Sequence, residues 1–497
     1  MGLKSALKVF LKNKLGVYGP NYERTLESFL EISQHSQVGF LDAASSLYSV
    51  NLEPNETGRS LKLNDLVGRY VTFVQDILHD PKFDTFVVMF DRETPLAKYV
   101  NTRSDAEPTP LDTDDDHHEA WSNYFIRCLE SKNIADLEYM LNSIAGPSDK
   151  APTPFDYTLP GDGRWFRLMG NRAFKEYISW IICNAVFHFC KIPEGKTLVV
   201  LGPNSCSRQR VGNALIDYDP KFDFEMTEAD FSISYVVKLF PGKDIIVFSI
   251  DGDVMLNLLY THSAKVIPEQ IEGVRQDKVY VVQKFNLFNR ECTYIDIHQL
   301  WKNVRSYIGS IKGGRKVTNP VATFCTLCML CGNDYVSSFP QIGPVNMFKG
   351  FEVSVAAGVT DYIYNPNSIA NKKLNAKSYF QLVLNCYQVA FKNLHFKVMT
   401  KYEYYTTVIA TELGKRKKTQ GVQFSLETVR ITLANLNWTV EYINYSAEGK
   451  SPRSSVTRSN SGQSLYGFDS DFIQTPFATY KVWRPEDTTL ELLHKPF

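Results

Sequence analysis

The sequence predicts an α/β protein, with a doubly wound and mainly parallel sheet followed by a helical C-terminal region. Short apolar runs rich in β-branched residues are typical of strands that are buried on both faces, as in a parallel sheet. They alternate with longer segments of helical apolar spacing, which is typical of βαβ units. The chain of 497 residues is long enough for two or three domains with complete cores.

Three of the predicted strands share one feature, an acid at the end of the apolar run. They are 38–41 before Asp42, 85–90 before Asp91, and 245–250 before Asp251 and Asp253. Open α/β sheets place their chemistry at the carboxyl ends of such strands. Carboxylates held close together repel one another unless a cation neutralises them. A single Asp-x-Asp is weak support for a site, but the repeated pattern is much stronger.

The other elements follow from apolar spacing and turn residues. Helices are predicted at 61–79, 120–145, 165–190, 298–310, 369–395 and 397–435, a strand at 197–203, a loop at 207–210 and a hairpin near 279–297. Thr227 has the chemistry of an N-cap, which would place Glu228 and Asp230 on the first turn of a helix through Leu239. These helices would supply the crossovers that a parallel sheet requires.

Composition divides the chain into a core, a helical region, a linker and a tail. The predicted parts are a core over 1–350 with an acidic and Pro/Gly-rich insertion at 105–163, a helical region over 351–445, a disordered linker at 446–470, and a tail at 471–497. Asp and His residues at 114–118 could bind a metal, but a solvated loop is the favoured interpretation.

Charge, apolar length and cysteines narrow the class of protein. Lysine plus arginine (54) equals aspartate plus glutamate (54), so nucleic-acid binding would require a local basic patch. The most apolar stretch, 178–190, is too short to span a bilayer, which predicts a soluble, intracellular protein without a membrane partner. Cys325, Cys328 and Cys331 lie in an apolar run, where a buried segment is favoured over a zinc or iron–sulfur site.

Seven acids stand at strand ends, helix starts or turns: Asp42, Asp91, Glu228, Asp230, Asp251, Asp253 and Asp334. An ordinary turn or cap explains any one of them, but explains the whole set poorly. Acid–base catalysis needs only one pair of carboxylates. The set suits two Mg²⁺ ions about 4 Å apart, with Mn²⁺ as a substitute, which would activate water and clamp a phosphodiester.

The sequence resembles the metal-dependent 5′-nuclease superfamily, which holds flap endonucleases, XPG repair nucleases and 5′→3′ exoribonucleases. The motifs stand in the superfamily's order within residues 1–350: the MG start, FLDAASSLY, FDRETPLAK, TEADF, SIDGDVML and CGNDYVSSFPQIGP. The resemblance implies a PIN-like core in which Glu228, Asp230, Asp251 and Asp253 bind metal directly and Asp42, Asp91 and Asp334 complete the site. Asp230 departs from the pattern, because the superfamily more usually has Glu there.

The same resemblance implies residues that contact substrate. Lys98 would approach the scissile phosphate as a catalytic cation, and Arg103 would hold the 5′ end of the substrate. Gly2 belongs to the matching N-terminus. The turn with Ile342 and Gly343 resembles the helix–two-turn–helix of flap endonucleases and would present backbone groups to a duplex phosphate.

Three functions remain open. The turn at 341–344 and the modest length after Asp334 favour a structure-specific DNA 5′-nuclease of replication and repair. The 81 positions from Asp253 to Asp334 resemble instead the exoribonucleases that degrade 5′-phosphorylated RNA. An inactive nucleic-acid-binding scaffold ranks last, because none of the seven acids is missing. The N-terminus and the spacing also resemble flap-endonuclease-like proteins of large DNA viruses.

We expect a monomer that binds nucleic acid, with DNA favoured and RNA as the alternative. The basic run 415–418 is typical of a nuclear import signal or a duplex contact, and a solvated loop is the plain alternative. Location in the nucleus or the cytoplasm stays open. The stretch 463–468 does not make a convincing sliding-clamp motif.

Overall fold

The structure of the protein is a computed structural model. It describes residues 5–16, 23–25, 31, 36–49, 63–91, 172–202, 208–212, 214–216, 219–224, 228–263, 278–285, 291–362, 374–395, 401–419, 422 and 424–449. The predicted insertion at 105–163, the helix at 120–145 and the residues beyond 449 lie outside the described residues.

Within these residues, nine strands form one mixed sheet in the order β1-β9-β8-β7-β2-β3-β4-β5-β6. They are β1 (Glu23–Thr25), β2 (Gln37–Asp42), β3 (Phe83–Met89), β4 (Thr197–Leu201), β5 (Arg208–Val211), β6 (Ala214–Ile216), β7 (Asp244–Phe248), β8 (Val279–Phe285) and β9 (Glu291–Asp296). The central strands from β8 to β4 are parallel, and the outer strands are antiparallel to their neighbours. The prediction of an α/β protein with a mainly parallel sheet is confirmed.

The winding of the sheet reverses between β2 and β7. From β2 the chain proceeds outward through β3 and β4, and it later returns to β7 on the other side of β2 and continues to β8. Strands β2 and β7 are parallel neighbours, with Leu41 opposite Phe248. In open α/β sheets, ligands bind outside the carboxyl ends of the strands at such a reversal. Here these ends are Asp42 and the residues that follow Phe248.

The α-helices cover both faces of the sheet. They are α1 (Ser5–Leu15), α2 (Ala43–Ser46), α3 (Leu63–His79), α4 (Arg172–Phe189), α5 (Ala229–Val236), α6 (Gly252–Ser263), α7 (Ile297–Ser310), α8 (Pro320–Leu330), α9 (Pro344–Ala356), α10 (Ala376–Ala390), α11 (Tyr402–Gly414) and α12 (Leu426–Ser446). Short 3₁₀ turns follow at Leu47–Ser49, Pro220–Phe222, Val237–Leu239, Gly314–Lys316 and Lys417–Thr419.

Alternate residues of the central strands enter two separate cores. Leu41 packs with α3 and α4, whereas Phe40 packs in the larger core that contains α1 and the helices from α5 onward. Every residue of β2 and β7 is buried. This burial explains the apolar runs, because a strand covered on both faces has no side that faces water.

The predicted C-terminal helical region packs directly on the core of the sheet. Helix α9 runs across the predicted boundary at residue 350, and α10, α11 and α12 belong to the same core as the sheet. At Gly350 a Cβ atom would lie 2.4 Å from the Cys386 sulfur and 2.8 Å from its backbone. Helices α9 and α10 therefore pack so closely that only glycine fits at this crossing.

Three cysteines lie in or directly after the buried helix α8. Cys325, Cys328 and Cys331 are buried thiols, in or at the end of this apolar helix. Burial raises the pKa of Cys325 and Cys328 well above the ordinary value, so both stay neutral thiols. The prediction of a buried segment is confirmed. None of the helices in the described ranges is both long and apolar enough to cross a lipid bilayer.

Two local predictions are wrong. Residues 207–210 were expected to form a loop, but Arg208–Val211 is a strand antiparallel to β4. This strand lacks the apolar pattern of a buried strand. Its Arg210 is buried nevertheless, because it donates hydrogen bonds to the carbonyl oxygens of Phe187 and Cys190 at the end of α4. The N-cap of α5 is Glu228 rather than Thr227, so this helix starts one residue later than predicted.

Candidate active site at the carboxyl edge of the sheet

Asp42 ends β2 at the point where the winding reverses. Its Oδ1 accepts a hydrogen bond from the Ser45 amide at 3.0 Å and so caps α2, and its Oδ2 accepts one from the Ser249 hydroxyl at 2.8 Å. Burial first, and then the nearby charge of Asp91, raise the pKa of Asp42 above its ordinary value despite these hydrogen bonds. A negative charge on Asp42 is therefore costly in the folded protein.

Asp91 follows β3 and connects it with the start of α5. Its Oδ1 accepts a hydrogen bond from the Ala229 amide at 3.0 Å. Its Oδ2 forms an ion pair with Nζ of Lys175 at 3.1 Å, and this ammonium group lies 5.8 Å from the centre of the Tyr48 ring. A carboxylate is favourable at this place, because the N-terminus of a helix carries a partial positive charge.

Glu228 and Asp230 lie at the start of α5 and are both buried. Glu228 is the N-cap residue, but its carboxylate makes no capping hydrogen bond; instead, its Oε2 accepts the hydroxyl of Tyr335. Both acids have contacts within the protein. Among the described residues, however, Glu228 Oε1 and Asp230 Oδ1 accept no hydrogen bond. Helix capping alone therefore does not explain where the Glu228 carboxylate lies.

Asp251 and Asp253 lie between β7 and the first turn of α6. Oδ1 of Asp251 accepts the Asp253 amide at 2.9 Å, and the Asp251 amide donates to the Ser249 hydroxyl at 3.2 Å. The side chain of Gln283 in β8 donates to the Asp251 carbonyl at 3.1 Å. Because Ser249 also donates to Asp42, this one hydroxyl links the two strand ends across the reversal.

Asp334 lies in the turn after α8 and is half-buried. The side chain of Asn333 shapes this turn, since its Oδ1 accepts the amides of Tyr335 and Val336 at 3.0 and 2.8 Å. Tyr335, the next residue along the chain, reaches Glu228. The turn therefore carries Asp334 toward the edge of the sheet that holds the other acids.

The structure places all seven predicted acids among the described residues and links most of them at one edge. Asp42 is within electrostatic range of Asp91, Ser249 joins Asp42 with Asp251, and Ala229 joins Asp91 with the start of α5. In the described part of the chain, no three or more His, Cys, Asp or Glu side chains form a group compact enough to hold a metal ion.

The donor set itself fits a hard divalent cation. Carboxylate oxygens suit Mg²⁺ and Mn²⁺, and Mg²⁺ usually keeps several waters and needs only one or two protein carboxylates. The raised pKa of Asp42 and the buried carboxylate oxygens of Glu228, Asp230 and Asp253 fit the same chemistry. A cation at this edge would relieve the repulsion between like charges.

The turn before α9 differs in detail from the expected glycine turn. The left-handed residue is Gln341, with φ 61°, whereas Gly343 is extended and is the N-cap of α9. Ile342 is buried, and its amide donates to the Phe339 carbonyl at 3.0 Å, so this amide is not available to a phosphate. The amides of the first helical turn have no acceptor within the helix and could take that role.

Three predicted residues lie outside the described residues, namely Gly2, Lys98 and Arg103. Three others were missed and now belong to the site: Lys175, Ser249 and Tyr335. Ser249 and Tyr335 lie within the quoted motifs SIDGDVML and CGNDYVSSFPQIGP, close to Asp251 and Asp334, and that position was the available signal. Lys175 lies 84 positions from Asp91 in the sequence, so only the fold brings the two together.

Comparison with known proteins identifies no family for this chain. A scan against protein-family models matches none, and a search of curated proteins finds no match to this chain.

Proposed function

We propose that the protein is a metal-dependent 5′-nuclease that hydrolyses phosphodiester bonds in DNA near junctions of single strand and duplex. The observation that carries the proposal is the position of Asp42 and Asp251 at the two strand ends where the winding of the sheet reverses. Open α/β sheets bind their ligands in that crevice. Acids from β3, α5 and α6 lie at the same edge and add the donors that a metal-dependent hydrolase needs.

The acids have distinct proposed roles. Glu228, Asp230, Asp251 and Asp253 would hold two Mg²⁺ ions, and Asp42, Asp91 and Asp334 would complete the site. The ions, when bound, supply Lewis-acid activation of water and of the phosphate. Ser249 fixes the orientation of Asp42 relative to Asp251, and Tyr335 fixes that of Glu228.

Positive charge at the site comes from Lys175 in the described residues. Its Nζ is 3.1 Å from Asp91 and its side chain is only 25% exposed, so it lies at the edge rather than in open solvent. An ammonium group here can hold a substrate phosphate that approaches the acids. We expect Lys98 and Arg103 to act with it on the scissile and terminal phosphates.

The test is a side-by-side cleavage assay with Mg²⁺ on labelled 5′-flap DNA, nicked duplex DNA and 5′-phosphorylated single-stranded RNA. We expect cuts near the junction of the flap and poor activity on unstructured strands. Asp251→Asn should abolish cleavage, while Asp84→Asn at the opposite edge of the sheet should retain it. No cleavage of any substrate would contradict the proposal and favour an inactive scaffold. Processive digestion of the RNA would favour the exoribonuclease.

Gly343→Val separates duplex binding from chemistry. Nothing lies within 4 Å of the place that a Cβ would occupy, and the backbone of Gly343 is extended, so valine fits the fold. The added side chain would nevertheless obstruct a phosphate that approaches the start of α9. Cleavage of flap DNA should fall strongly, and cleavage of a short single strand should fall little. Equal losses on both substrates would contradict a duplex role for this turn.

A further inference from the structure

We propose that one surface of the protein binds the phosphate backbone of a nucleic-acid duplex. This surface consists of the cations near the ends of α10 and α11, together with the start of α9. This inference rests on the proposed function, because it identifies what holds the duplex beside the cut. It also joins two features that are far apart in the sequence, the turn at 341–343 and the basic run at 415–418.

The charge of this part of the chain is strongly asymmetric. Between residues 376 and 424 the sequence has eight lysines and arginines against two glutamates, a net charge of +6, whereas the whole chain has a net charge of zero. The side chains of Lys392, Lys401, Lys415, Arg416 and Lys417 are all exposed. A positive face on a neutral protein is the electrostatic feature that polyanion binding requires.

A short path of contacts connects the basic run with the turn. The guanidinium carbon of Arg416 lies 4.3 Å from the centre of the Phe391 ring, and that ring stacks on Tyr387 with centroids 5.7 Å apart. The hydroxyl of Tyr387 donates to the Pro340 carbonyl at 3.0 Å. Two aromatic rings thus span the distance from Arg416 to the residue that starts the turn.

The backbone of the basic run is held in place. The Arg416 amide donates to the Leu413 carbonyl at 3.0 Å, and the Thr419 amide donates to the Arg416 carbonyl at 3.0 Å. The buried hydroxyl of Thr419 donates to Leu413 as well, at 2.7 Å. These bonds close the 3₁₀ turn Lys417–Thr419 after α11, so the backbone of the run has a defined course.

Helix packing fixes the other half of the surface. Met347 near the start of α9 accepts a contact from the Cys386 thiol of α10, and Gly350 permits the close crossing of the two helices. The start of α9 therefore lies beside the second half of α10, which leads into Lys392. First-turn amides and nearby lysines together offer the two kinds of group that phosphate oxygens accept.

The test measures equilibrium binding of a blunt duplex in EDTA, which prevents cleavage, between about 50 and 200 mM salt. Each lost phosphate contact lowers the slope of log K against log salt by about 0.9. We expect Lys415→Gln with Lys417→Gln to lower the slope by about 1.8. Lys392→Gln, in the turn that follows α10, should lower it by about 0.9 and tests the surface independently.

The matched control is Lys312→Gln with Lys316→Gln, the same change of charge at exposed lysines near the opposite end of α9. This variant should keep the wild-type slope. Equal slopes in wild type and in the 415/417 variant, equal losses in both double variants, or an equal loss on a single strand would overturn the inference. A reduced slope on either a DNA or an RNA duplex supports the inference. The duplex that binds more tightly shows whether the surface prefers DNA or RNA.

Binding without metal also separates this inference from the proposed function. Cleavage of flap DNA together with an unchanged slope in the 415/417 variant would support the proposed function and contradict the binding surface. The expected slopes without cleavage of any substrate would support the binding surface and contradict the nuclease function. Changed cellular distribution with an unchanged slope would assign the run to nuclear import instead.

Discussion

The two edges of the parallel sheet place their acids in opposite surroundings, although β2, β3 and β7 lead to both. At the amino edge, Asp84 of β3 accepts hydrogen bonds from Lys243 at 2.5 Å and from Ser36. At the carboxyl edge, Asp42 and Asp91 lie near each other, with Asp251 joined to Asp42 through one hydroxyl. The first edge pairs Asp84 with a lysine, whereas the second brings acids near one another beside the ion pair of Asp91 and Lys175.

The pKa values follow this difference. Burial tends to raise the pKa of Asp84, but the hydrogen bonds from Lys243 and Ser36 and nearby lysine charges outweigh it, so this pKa is lowered. Burial and Asp91 raise the pKa of Asp42. A carboxylate with a lowered pKa stabilises the folded state near neutral pH, and one with a raised pKa destabilises it. The amino edge thus contributes stability, whereas the carboxyl edge gives up stability in a way that bound cations would recover.

The largest expected effect is on activity at the carboxyl edge. Asp251→Asn or Asp253→Asn should lower the cleavage rate by about a hundredfold or more, equivalent to ~2.7 kcal/mol in the activation free energy, because each removes a proposed metal ligand. Unfolding by urea in EDTA should show unchanged or slightly raised stability. Asparagine at 251 can still accept the Asp253 amide, so α6 keeps its cap.

The matched control for both variants is Asp296→Asn, at another junction of strand and helix. Asp296 follows the same pattern, since its Oδ1 accepts the Gln299 amide at 3.0 Å and caps α7. This variant should keep full activity. Full activity in Asp251→Asn would remove the metal assignment, and equal losses in Asp251→Asn and Asp296→Asn would indicate a capping role only.

Tyr335→Phe should produce the next largest effect. The ring stays among Phe231 and Trp438, with centroids 5.1 and 6.0 Å away, but buried Glu228 loses a hydrogen-bond donor. The free energy of unfolding in EDTA should fall by about 1–3 kcal/mol. We also expect Mg²⁺ to raise the melting temperature less than in wild type, since Glu228 is less well oriented.

Tyr379→Phe is the control for that variant, because Tyr379 is an equally buried tyrosine whose hydroxyl contacts Thr326 at 2.5 Å, away from the acids. It should leave the Mg²⁺-induced rise in melting temperature unchanged. If the two variants respond alike to Mg²⁺, Tyr335 has a packing role only.

The sequence was sufficient to predict the strands of the parallel sheet and the acids at their ends. Strands buried on both faces leave an unambiguous apolar pattern, and an acid that ends such a run is visible without a structure. Arg208–Val211 was missed because an outer strand with buried arginine lacks that pattern. The partner of Asp91 was missed because Lys175 is distant in sequence and carries no local signal.

The sequence could not predict which charged groups surround each acid. Asp42 and Asp84 both belong to the parallel part of the sheet, yet only the fold puts Lys243 beside one and Asp91 beside the other. Register decides this outcome, since Lys243 directly precedes β7 at the amino edge and Ser249 follows β7 at the carboxyl edge. Sequence alone identifies candidate acids, and strand register separates an acid paired with a lysine from acids that lie near one another.

Asp42→Asn should raise the stability of the folded protein. Asparagine keeps an oxygen for the Ser45 amide but removes a buried negative charge beside Asp91. In EDTA near neutral pH, the free energy of unfolding should rise, because a carboxyl group whose pKa is raised by folding destabilises the folded state at that pH. Urea unfolding measures this change, and Asp296→Asn again serves as control. A destabilised Asp42→Asn would mean that Asp42 is mainly a cap.

Asp84→Asn should have the smallest effect and the opposite sign. Because the pKa of Asp84 is lowered in the folded state, its contribution to stability is present above the unfolded pKa and is lost as pH falls through the folded pKa. The side chain is 48% exposed, so solvent screens its pair with Lys243 and the loss near neutral pH should stay below about 1 kcal/mol. Urea unfolding of wild type and variant should therefore differ near neutral pH and coincide in acid. Added salt should shrink the difference, since exposed charge pairs are screened. A difference that instead grows in acid, or any loss of cleavage activity, would show that the two edges of the sheet are not separate in the way their charges indicate.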